Sequence, residues 1–247
     1  MIDQEKIIAT IREHYPKANS GTRLVTEWFN ILQNELGLPP NRLMVANCVC
    51  SDDVNEIQYP EQARETLGPF NMGGLDGFPF AGLTGMGAFA HHVPSDGALS
   101  IFYGPHIGIT KDGELGKIYR VGQSEPSNCC GACHAALNKL LNNKIIQNEI
   151  TDIDYQLNTL EQLLLKEDLR IKSAPFPLKE ATEVIYESTE KRIRLLVSLT
   201  HFPCQFVFLY GVIIINSDFD IGAFYEVRTI ELINTTTREV KQLLFEK

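Results

Sequence analysis

The spacing of apolar residues predicts helices near the start of the chain and a group of short strands after them. Apolar positions recur at helical spacing over 3–14 and 22–36, which indicates two amphipathic helices. Gly37 and the Pro39-Pro40 pair follow the second segment, and both residue types are typical of helix ends. The first 36 residues therefore predict a helical N-terminal segment.

Two short apolar runs in the centre of the chain predict buried strands. They cover 42–48 and 98–103, and the small-residue segment 82–92 between them predicts a helix packed closely on the sheet. This order favours an α/β sheet, in which ligands bind at the carboxyl ends of the strands. The two strands lead into Cys50 and His106, so we expect both side chains at that edge.

The second half of the chain predicts further helices and one pair of strands. Helices are predicted over 130–141, 145–170, 178–199 and 237–245, and strands over 205–216 and 223–234. The longest apolar run, 205–215, is about half of the roughly 20 residues that a membrane helix needs. The pattern therefore predicts an α/β fold in a single domain over 1–247, without a membrane helix.

The net charge of the chain limits the kinds of molecule that it is expected to bind. The chain has 31 acidic and 22 basic residues, which gives a formal net charge of −9. This excess of negative charge argues against a surface that binds nucleic acid. The first ten residues have no basic segment followed by a long apolar one, so we expect a cytoplasmic protein, or one in an organelle lumen if a transit segment was removed.

The cysteines suggest where the chemistry lies. Five of the six fall into two clusters, at 48–50 and at 129–133. In a reducing compartment such clusters more often mean metal binding or catalysis than cross-links, and cysteine with histidine suits zinc. The pair Cys130 and Cys133 would equally suit a structural zinc site or a redox pair. Asp52, two residues after Cys50, places a carboxylate beside the first cluster.

Five ordered motifs carry a resemblance to a known family. They are Cys50-Ser-Asp-Asp-Val-Asn55, Gly73-Gly-Leu-Asp-Gly-Phe-Pro-Phe80, Gly85-Met-Gly-Ala-Phe-Ala-His-His-Val-Pro94, Tyr103-Gly-Pro-His-Ile-Gly108 and Cys130-Gly-Ala132. Over about residues 20–230 the chain resembles the limiting-CO2-inducible protein B/C family. That family is similar to β-carbonic anhydrases in fold and active site and is also described as θ-type carbonic anhydrase.

The resemblance implies an architecture and an assembly. The fold would be a β-carbonic-anhydrase-like central mixed sheet flanked by helices, with an N-terminal helical arm over 1–36 and a catalytic core over 42–235. The chain would form a homodimer in which terminal helices are exchanged. Its substrate would be the small molecule CO2 or bicarbonate, with no nucleic acid and no membrane as partner.

The resemblance also implies a zinc site. Cys50 would be the first ligand, Cys130 the last, and a histidine the third, with water in the fourth position. His106 is favoured as the histidine because it follows a strand and a Gly-Pro turn, while the alternatives His91 and His92 end the preceding helix. At least one member of that pair could still line the pocket.

Asp52 occupies the place of the carboxylate that β-carbonic anhydrases need near the metal. In those enzymes an arginine two residues later holds this carboxylate away from zinc, but here that position is Val54. An arginine must then come from elsewhere, and Arg64 is the candidate. Without such a partner, Asp52 could bind the metal and close the site.

The function implied is reversible hydration of CO2 to bicarbonate and a proton, with zinc hydroxide as nucleophile. Phe78, Phe80 and Tyr103 are candidates for an apolar wall that holds CO2, and their alternative role is ordinary core packing. The competing hypothesis is a catalytically silent protein that binds CO2 or bicarbonate and has a closed zinc site. A zinc hydrolase of small amides is a third hypothesis with less support.

Overall fold

A computed structural model describes residues 4–218 and 221–243. In these ranges the helices are α1 (Gln4–His14), α2 (Gly21–Leu36), α3 (Gly82–His91), α4 (Gly131–Leu141), α5 (Tyr155–Lys166), α6 (Asp168–Ser173) and α7 (Pro177–Leu199). The strands are β1 (Asn19–Ser20), β2 (Leu43–Cys48), β3 (Leu67–Asn71), β4 (Ala98–Tyr103), β5 (His106–Gly108), β6 (Lys117–Ile118), β7 (Ser127–Asn128), β8 (Phe206–Asn216), β9 (Ala223–Asn234) and β10 (Val240–Gln242).

A mixed sheet forms the centre of the molecule, and the predicted fold class is confirmed. Its strands lie in the order β1-β9-β8-β4-β2-β3, with β10 added to β9 and β5 to β8. Strands β3, β2, β4 and β8 run parallel to one another, whereas β9 runs antiparallel to β8 and to β1. Strand β5 continues the line of β4 along β8 after a break at Gly104 and Pro105.

Helices cover both faces of the sheet because its central strands are apolar on both sides. One face packs against α1, α3 and α7, and the other against α2. A third apolar cluster joins α4, α5 and α7 to the carboxyl edge of the sheet. The N-terminal helices α1 and α2 thus bury their apolar residues against their own sheet. No helix in the described ranges is long and apolar enough to cross a membrane.

Two predicted helices are wrong in extent or type. The helix predicted over 145–170 is confined to α5 and the short α6, because Asn148 adopts a left-handed conformation with φ of 61°. The helix predicted over 237–245 is instead strand β10 in its described part. Asn234 accepts hydrogen bonds from the backbone N–H groups of Thr236 and Thr237, and Arg238 has φ of 63°, so the chain turns back onto β9.

The carboxyl ends of the parallel strands gather the segments that carry the predicted ligands. The segment after β2 contains Cys50, and β5 begins with His106 where β4 ends. The break between β4 and β5 requires glycine, because a Cβ on Gly104 would lie 1.8 Å from the carbonyl oxygen of Val212. Parallel sheets place ligands at this edge, and the structure follows that rule.

Candidate metal centre

The structure brings together three of the residues that the sequence places in a metal site. The side chains of Cys50, His106 and Cys130 are buried, and their ligand atoms lie within 4.8 Å of one another. Cys50 follows β2, His106 begins β5, and Cys130 immediately precedes α4. Three separate segments therefore meet at one point on the carboxyl edge of the sheet.

The geometry of this cluster fits zinc. The Sγ atoms of Cys50 and Cys130 lie 3.8 Å apart. Two sulfurs bound to a tetrahedral zinc ion, each with a Zn–S bond of about 2.3 Å, would lie about 3.8 Å apart. The Nε2 atom of His106 is buried and has no hydrogen-bond partner among the described residues. An unpartnered buried nitrogen beside two sulfurs is the donor set of a Cys-His-Cys zinc site.

Asn216 fixes the ring of His106. Its Oδ1 atom lies 2.8 Å from Nδ1 of His106, so Nδ1–H can donate to this oxygen while Nε2 remains free for a metal. The amide Nδ2 of Asn216 donates to the carbonyl oxygen of Val54 at 3.0 Å. Asn216 ends β8 and so connects the histidine to the segment that follows β2. Sequence reasoning missed it because nothing near residue 216 resembles a ligand motif.

The cluster favours a thiolate at Cys50. A hydrogen bond with Cys130 lowers the pKa of Cys50 to about 4, and the neighbouring His106 ring adds to this effect against the cost of burial. The backbone N–H of Asp76 also donates to the Cys50 sulfur at 3.1 Å. The pKa of Cys130 is raised in return, first by its hydrogen bond with Cys50 and then by burial. A cysteine binds a metal as its thiolate, so the lowered pKa of Cys50 favours the form that can act as a ligand.

Asp76 holds two of the ligand residues. It is fully buried, and its Oδ1 accepts a hydrogen bond from the backbone N–H of His106 at 3.1 Å. Together with its N–H bond to Cys50, this contact ties both ligand segments to one residue. Burial raises the pKa of Asp76 to about 6. Its position between glycines in the motif 73–80 was the available signal, although the sequence alone does not indicate its role.

Asp52 pairs with Arg120. The Nη2 atom of Arg120 lies 2.9 Å from both carboxylate oxygens of Asp52, and Nη1 donates to Ser127 Oγ at 2.5 Å and to the carbonyl oxygen of Asn128 at 3.3 Å. Burial raises the pKa of Asp52, but its interactions with Asp53 and with the Arg120 guanidinium outweigh this effect and lower the pKa overall. Asp52 is therefore a carboxylate held in one orientation.

Arg64, the expected partner of Asp52, lies elsewhere. It is exposed and forms an ion pair with Glu61 at 3.2 Å, within a short 3-10 helix, Glu61–Glu65. That helix precedes β3, so it lies at the amino edge of the sheet, opposite the cluster. Arg120 instead comes from the segment between β5 and α4, which passes over the carboxyl edge. Arg120, which contacts Asp52 in the structure, is 68 residues from it in the chain, and no local pattern pointed to it.

His91 and His92 do not reach the cluster. Both are exposed at the end of α3, which runs from the carboxyl edge of the sheet back to the amino end of β4. The ring of His92 packs near that of Phe70, at 5.9 Å between centroids. Of the histidines weighed as ligands, the structure places only His106 beside Cys50 and Cys130.

The aromatic residues predicted for the apolar wall separate into two groups. Phe78 is buried with Cys50 and Cys130 in one apolar cluster, and Phe80 packs against that cluster. Tyr103 belongs to another part of the core, where its hydroxyl donates to Glu190 of α7 at 3.3 Å. The phenylalanines therefore border the candidate site, while Tyr103 has a partner elsewhere.

Cys129 is a neighbour of the ligand set. Its Sγ lies 3.4 Å from Nδ1 of His106 and 3.5 Å from Oδ1 of Asn216. Asp52, His106 and Cys129 also have ligand atoms within 4.8 Å of one another. This second combination uses the same histidine, so the two sets cannot be filled independently. Cys133 is buried in α4, and burial raises its thiol pKa.

A cleft of about 620 Å³ opens beside the cluster. Its walls include Cys50 and Asp52, so one candidate ligand and the oriented carboxylate both face it. A site of this size and chemistry can admit a small molecule from solvent to a metal held by the cluster.

Comparisons with known proteins bear on the family and the fold. The family sequence model of limiting CO2-inducible proteins B/C beta carbonic anhydrases matches residues 20–234. The crystal structure of PtLCIB4, described as a homolog of the limiting CO2-inducible protein LCIB, has a TM-score of 0.84 and 22% sequence identity, covering 96% of this chain and 100% of that chain. The crystal structure of LCIB itself has a TM-score of 0.70 and 17% identity, covering 98% and 99%. No curated protein sequence matches the chain.

Proposed function

Because this chain belongs to the family of limiting CO2-inducible proteins B/C β-carbonic anhydrases, we propose that it is a zinc-dependent carbonic anhydrase that interconverts CO2 and bicarbonate. Family membership supports a carbonic-anhydrase-related function and a small-molecule substrate. The finer proposal concerns the metal, the residues that hold it and the catalysis of hydration.

Cys50, His106 and Cys130 would hold the zinc ion. Their support is the 3.8 Å separation of the two sulfurs and the unpartnered Nε2 of His106 among the described side chains. Bound zinc supplies hydroxide near neutral pH, because it lowers the pKa of water from 15.7 to about 7. Asp76 and Asn216 keep the ligand atoms in place through hydrogen bonds to Cys50 and His106.

The pairing of Asp52 with Arg120 carries the proposal. A free carboxylate beside the cluster could take the fourth ligand position and exclude water. Both oxygens of Asp52 instead accept hydrogen bonds from Arg120 at 2.9 Å. Oδ1 also accepts from the backbone N–H of Val54 at 3.4 Å, whereas Oδ2 has only Arg120 as a donor among the described residues. Oδ2 therefore retains a lone pair with which Asp52 could accept a hydrogen bond from the hydroxide that zinc would supply, and so orient it toward CO2. Arg120 thereby performs the task that Val54 cannot.

CO2 is apolar and needs a small apolar surface near that nucleophile. Phe78 and Phe80 would supply such a surface, because they pack with Cys50 in one apolar cluster.

The test is CO2 hydration by stopped flow on protein whose zinc content is measured in the same sample under reducing conditions. We expect one zinc per chain and metal-dependent hydration, both lost in Cys50→Ala. The matched control is Cys204→Ala, which removes a buried thiol outside the cluster and should retain zinc and hydration.

One zinc per chain with hydration at the uncatalysed rate would overturn the proposal. The silent protein that binds CO2 or bicarbonate would then be the better account. Zinc retained at full occupancy in Cys50→Ala would instead show that the ion is held by other residues.

A further inference from the structure

The side-chain amide of Asn55 is buried and lacks hydrogen-bond partners among the described residues. The residue is only 7% exposed, and neither its Nδ2 nor its Oδ1 has a hydrogen-bond partner among the described residues. Buried amides in folded proteins are normally paired, since an unpaired donor or acceptor loses its bonds to water without replacement. A buried carboxamide with both ends unpaired indicates a group that binds something else.

The backbone fixes Asn55 relative to the metal cluster. Asn55 ends the 3-10 turn Asp53–Asn55, and its N–H donates to the carbonyl oxygen of Asp52 at 3.1 Å. The carbonyl oxygen of Val54, in the same turn, accepts a hydrogen bond from Asn216 at 3.0 Å. Asn216 in turn bonds His106, so a continuous chain of contacts connects Asn55 to the candidate zinc ligand.

Asn55 lines the cleft that Cys50 and Asp52 also line. A carboxamide offers an N–H donor at one end and an oxygen acceptor at the other, so its best ligand carries both an acceptor and a donor. Asp53 and Glu56 also line the cleft, and since their carboxylates can only accept hydrogen bonds, they favour a ligand that can donate over one that can only accept.

The reaction offers one species with the required pattern. CO2 has no hydrogen to donate, whereas bicarbonate has an O–H donor and two further oxygens that accept. The two ends of a carboxamide match this donor and acceptor side by side. An acetate ion of similar size has acceptors only.

We propose that Asn55 binds bicarbonate in the cleft, with Nδ2–H donating to a carboxylate oxygen of the ion and Oδ1 accepting from its O–H group. This inference rests on the proposed function for the identity of the ligand. It adds a binding residue that neither the zinc ligands nor the pair of Asp52 and Arg120 supplies.

The experiment measures binding of 13C-labelled bicarbonate to the zinc-loaded full chain by NMR titration at pH 8, with acetate as the comparison ion. Wild type is compared with Asn55→Leu, which removes both polar atoms, and Asn55→Asp, which keeps the shape and removes the donor. The matched control is Asn41→Leu, an exposed asparagine before β2 that does not line the cleft. CO2 hydration is recorded on each sample.

We expect bicarbonate binding about tenfold weaker or more in both Asn55 variants, since each loses hydrogen bonds to a charged ligand. Wild type should prefer bicarbonate to acetate, and Asn55→Leu should lose that preference. Asn55→Asp also adds a negative charge that repels any anion, so if Asn55→Leu does not fold, the smaller and uncharged Asn55→Ala decides.

Equal bicarbonate affinity in wild type and the Asn55 variants would overturn the inference, and would mean that ordered water alone satisfies the amide. If that result came with catalysed hydration in wild type, the proposed function would stand. Bicarbonate binding that depends on Asn55, in a protein without catalysed hydration, would support the inference and overturn the enzyme assignment.

Discussion

Arg120 reaches Asp52 from a segment 68 residues later in the chain. Its guanidinium contacts Asp52, Ser127 and the backbone of Asn128, and its side chain is 20% exposed. The ion pair is thus partly shielded from solvent and held at several points, unlike the exposed pair of Arg64 with Glu61. Such a multiply bonded arginine can orient a carboxylate, whereas an exposed pair contributes little.

Arg120→Ala should reduce CO2 hydration about tenfold to hundredfold while zinc stays at one per chain, because Asp52 loses its orientation and gains access to the metal. Arg120→Lys should recover little of the lost hydration activity, since a lysine cannot make the same set of hydrogen bonds. Stopped-flow hydration at measured zinc content tests this.

Arg64→Ala is the matched control and should leave hydration unchanged, as Arg64 lies at the opposite edge of the sheet. Normal hydration in Arg120→Ala would show that Asp52 needs no arginine.

Asp76→Ala should weaken zinc binding about tenfold to hundredfold, because it removes the acceptor that holds the backbone of His106. Asp76→Asn keeps an oxygen at the same place and should lose much less. Competition with a chromophoric chelator measures both affinities. Equal losses in the two variants would mean that the charge of Asp76, rather than its hydrogen bond, supports the site.

The side chains of the candidate site differ in how far sequence could predict them. Cys50, His106 and Cys130 stand in motifs at the ends of predicted strands or at the start of a helix, and the fold of those elements is enough to bring them together. Arg120 and Asn216 act through contacts between segments far apart in the chain. Their roles depend on tertiary geometry, which a single sequence does not contain.

Among helices and strands, the parallel part of the sheet positions the site. The ends of β2 and β4 and the start of α4 meet at one edge, and Cys130 stands at the N-terminus of that 11-residue helix. Unpaired N–H groups at a helix N-terminus favour negative charge. The N-terminus of α4 therefore stabilises the negative charge that the contacting sulfurs of Cys130 and Cys50 share when one of them is a thiolate.

Apolar periodicity predicted most of these elements and failed in two places. The long strands β8 and β9 and helix α7 have strong patterns, and their bounds agree with the prediction within a residue or two. The failures at 145–154 and at 237–243 have a common cause. Single residues in left-handed conformation, Asn148 and Arg238, interrupt segments whose apolar spacing alone resembles a helix.

Two glycines in neighbouring elements should respond oppositely to alanine. Gly77 has φ of 73°, and a Cβ there would lie 2.2 Å from the carbonyl oxygen of Gly104, so Gly77→Ala should destabilise the fold by about 1–2 kcal/mol or more. Gly87 lies inside α3 with no atom near its Cβ position, so Gly87→Ala should stabilise the fold by about 0.5–1 kcal/mol. Urea unfolding of both variants measures the difference. Equal effects would contradict the geometry at Gly77.

At the scale of the whole protein, the central sheet joins an N-terminal segment of the chain to a C-terminal one. Strand β1 pairs with β9, where Asn19 lies opposite Tyr225, and α1 and α2 pack on the same sheet. The terminal helices already have a buried face within their own chain. A homodimer therefore needs no exchange of these helices to complete the core.

The homodimer remains a prediction from the family resemblance. Light scattering on the purified protein should give twice the chain mass of 27.8 kDa. The value should persist when residues 1–14 are deleted if the interface does not use α1. A mass of 27.8 kDa at micromolar concentration would contradict the dimer.

The position of Trp28 makes the fluorescence of the protein informative about its fold. It is the one tryptophan of the sequence, and it is buried on the face of the sheet covered by α2, where its indole N–H donates to Ser100 Oγ at 3.0 Å. The candidate metal centre lies at the carboxyl edge of the sheet, within the apolar cluster that joins α4, α5 and α7 to that edge. Intrinsic tryptophan fluorescence therefore reports the integrity of the sheet, so the loss of a bound ion and the unfolding of the chain can be followed as separate signals.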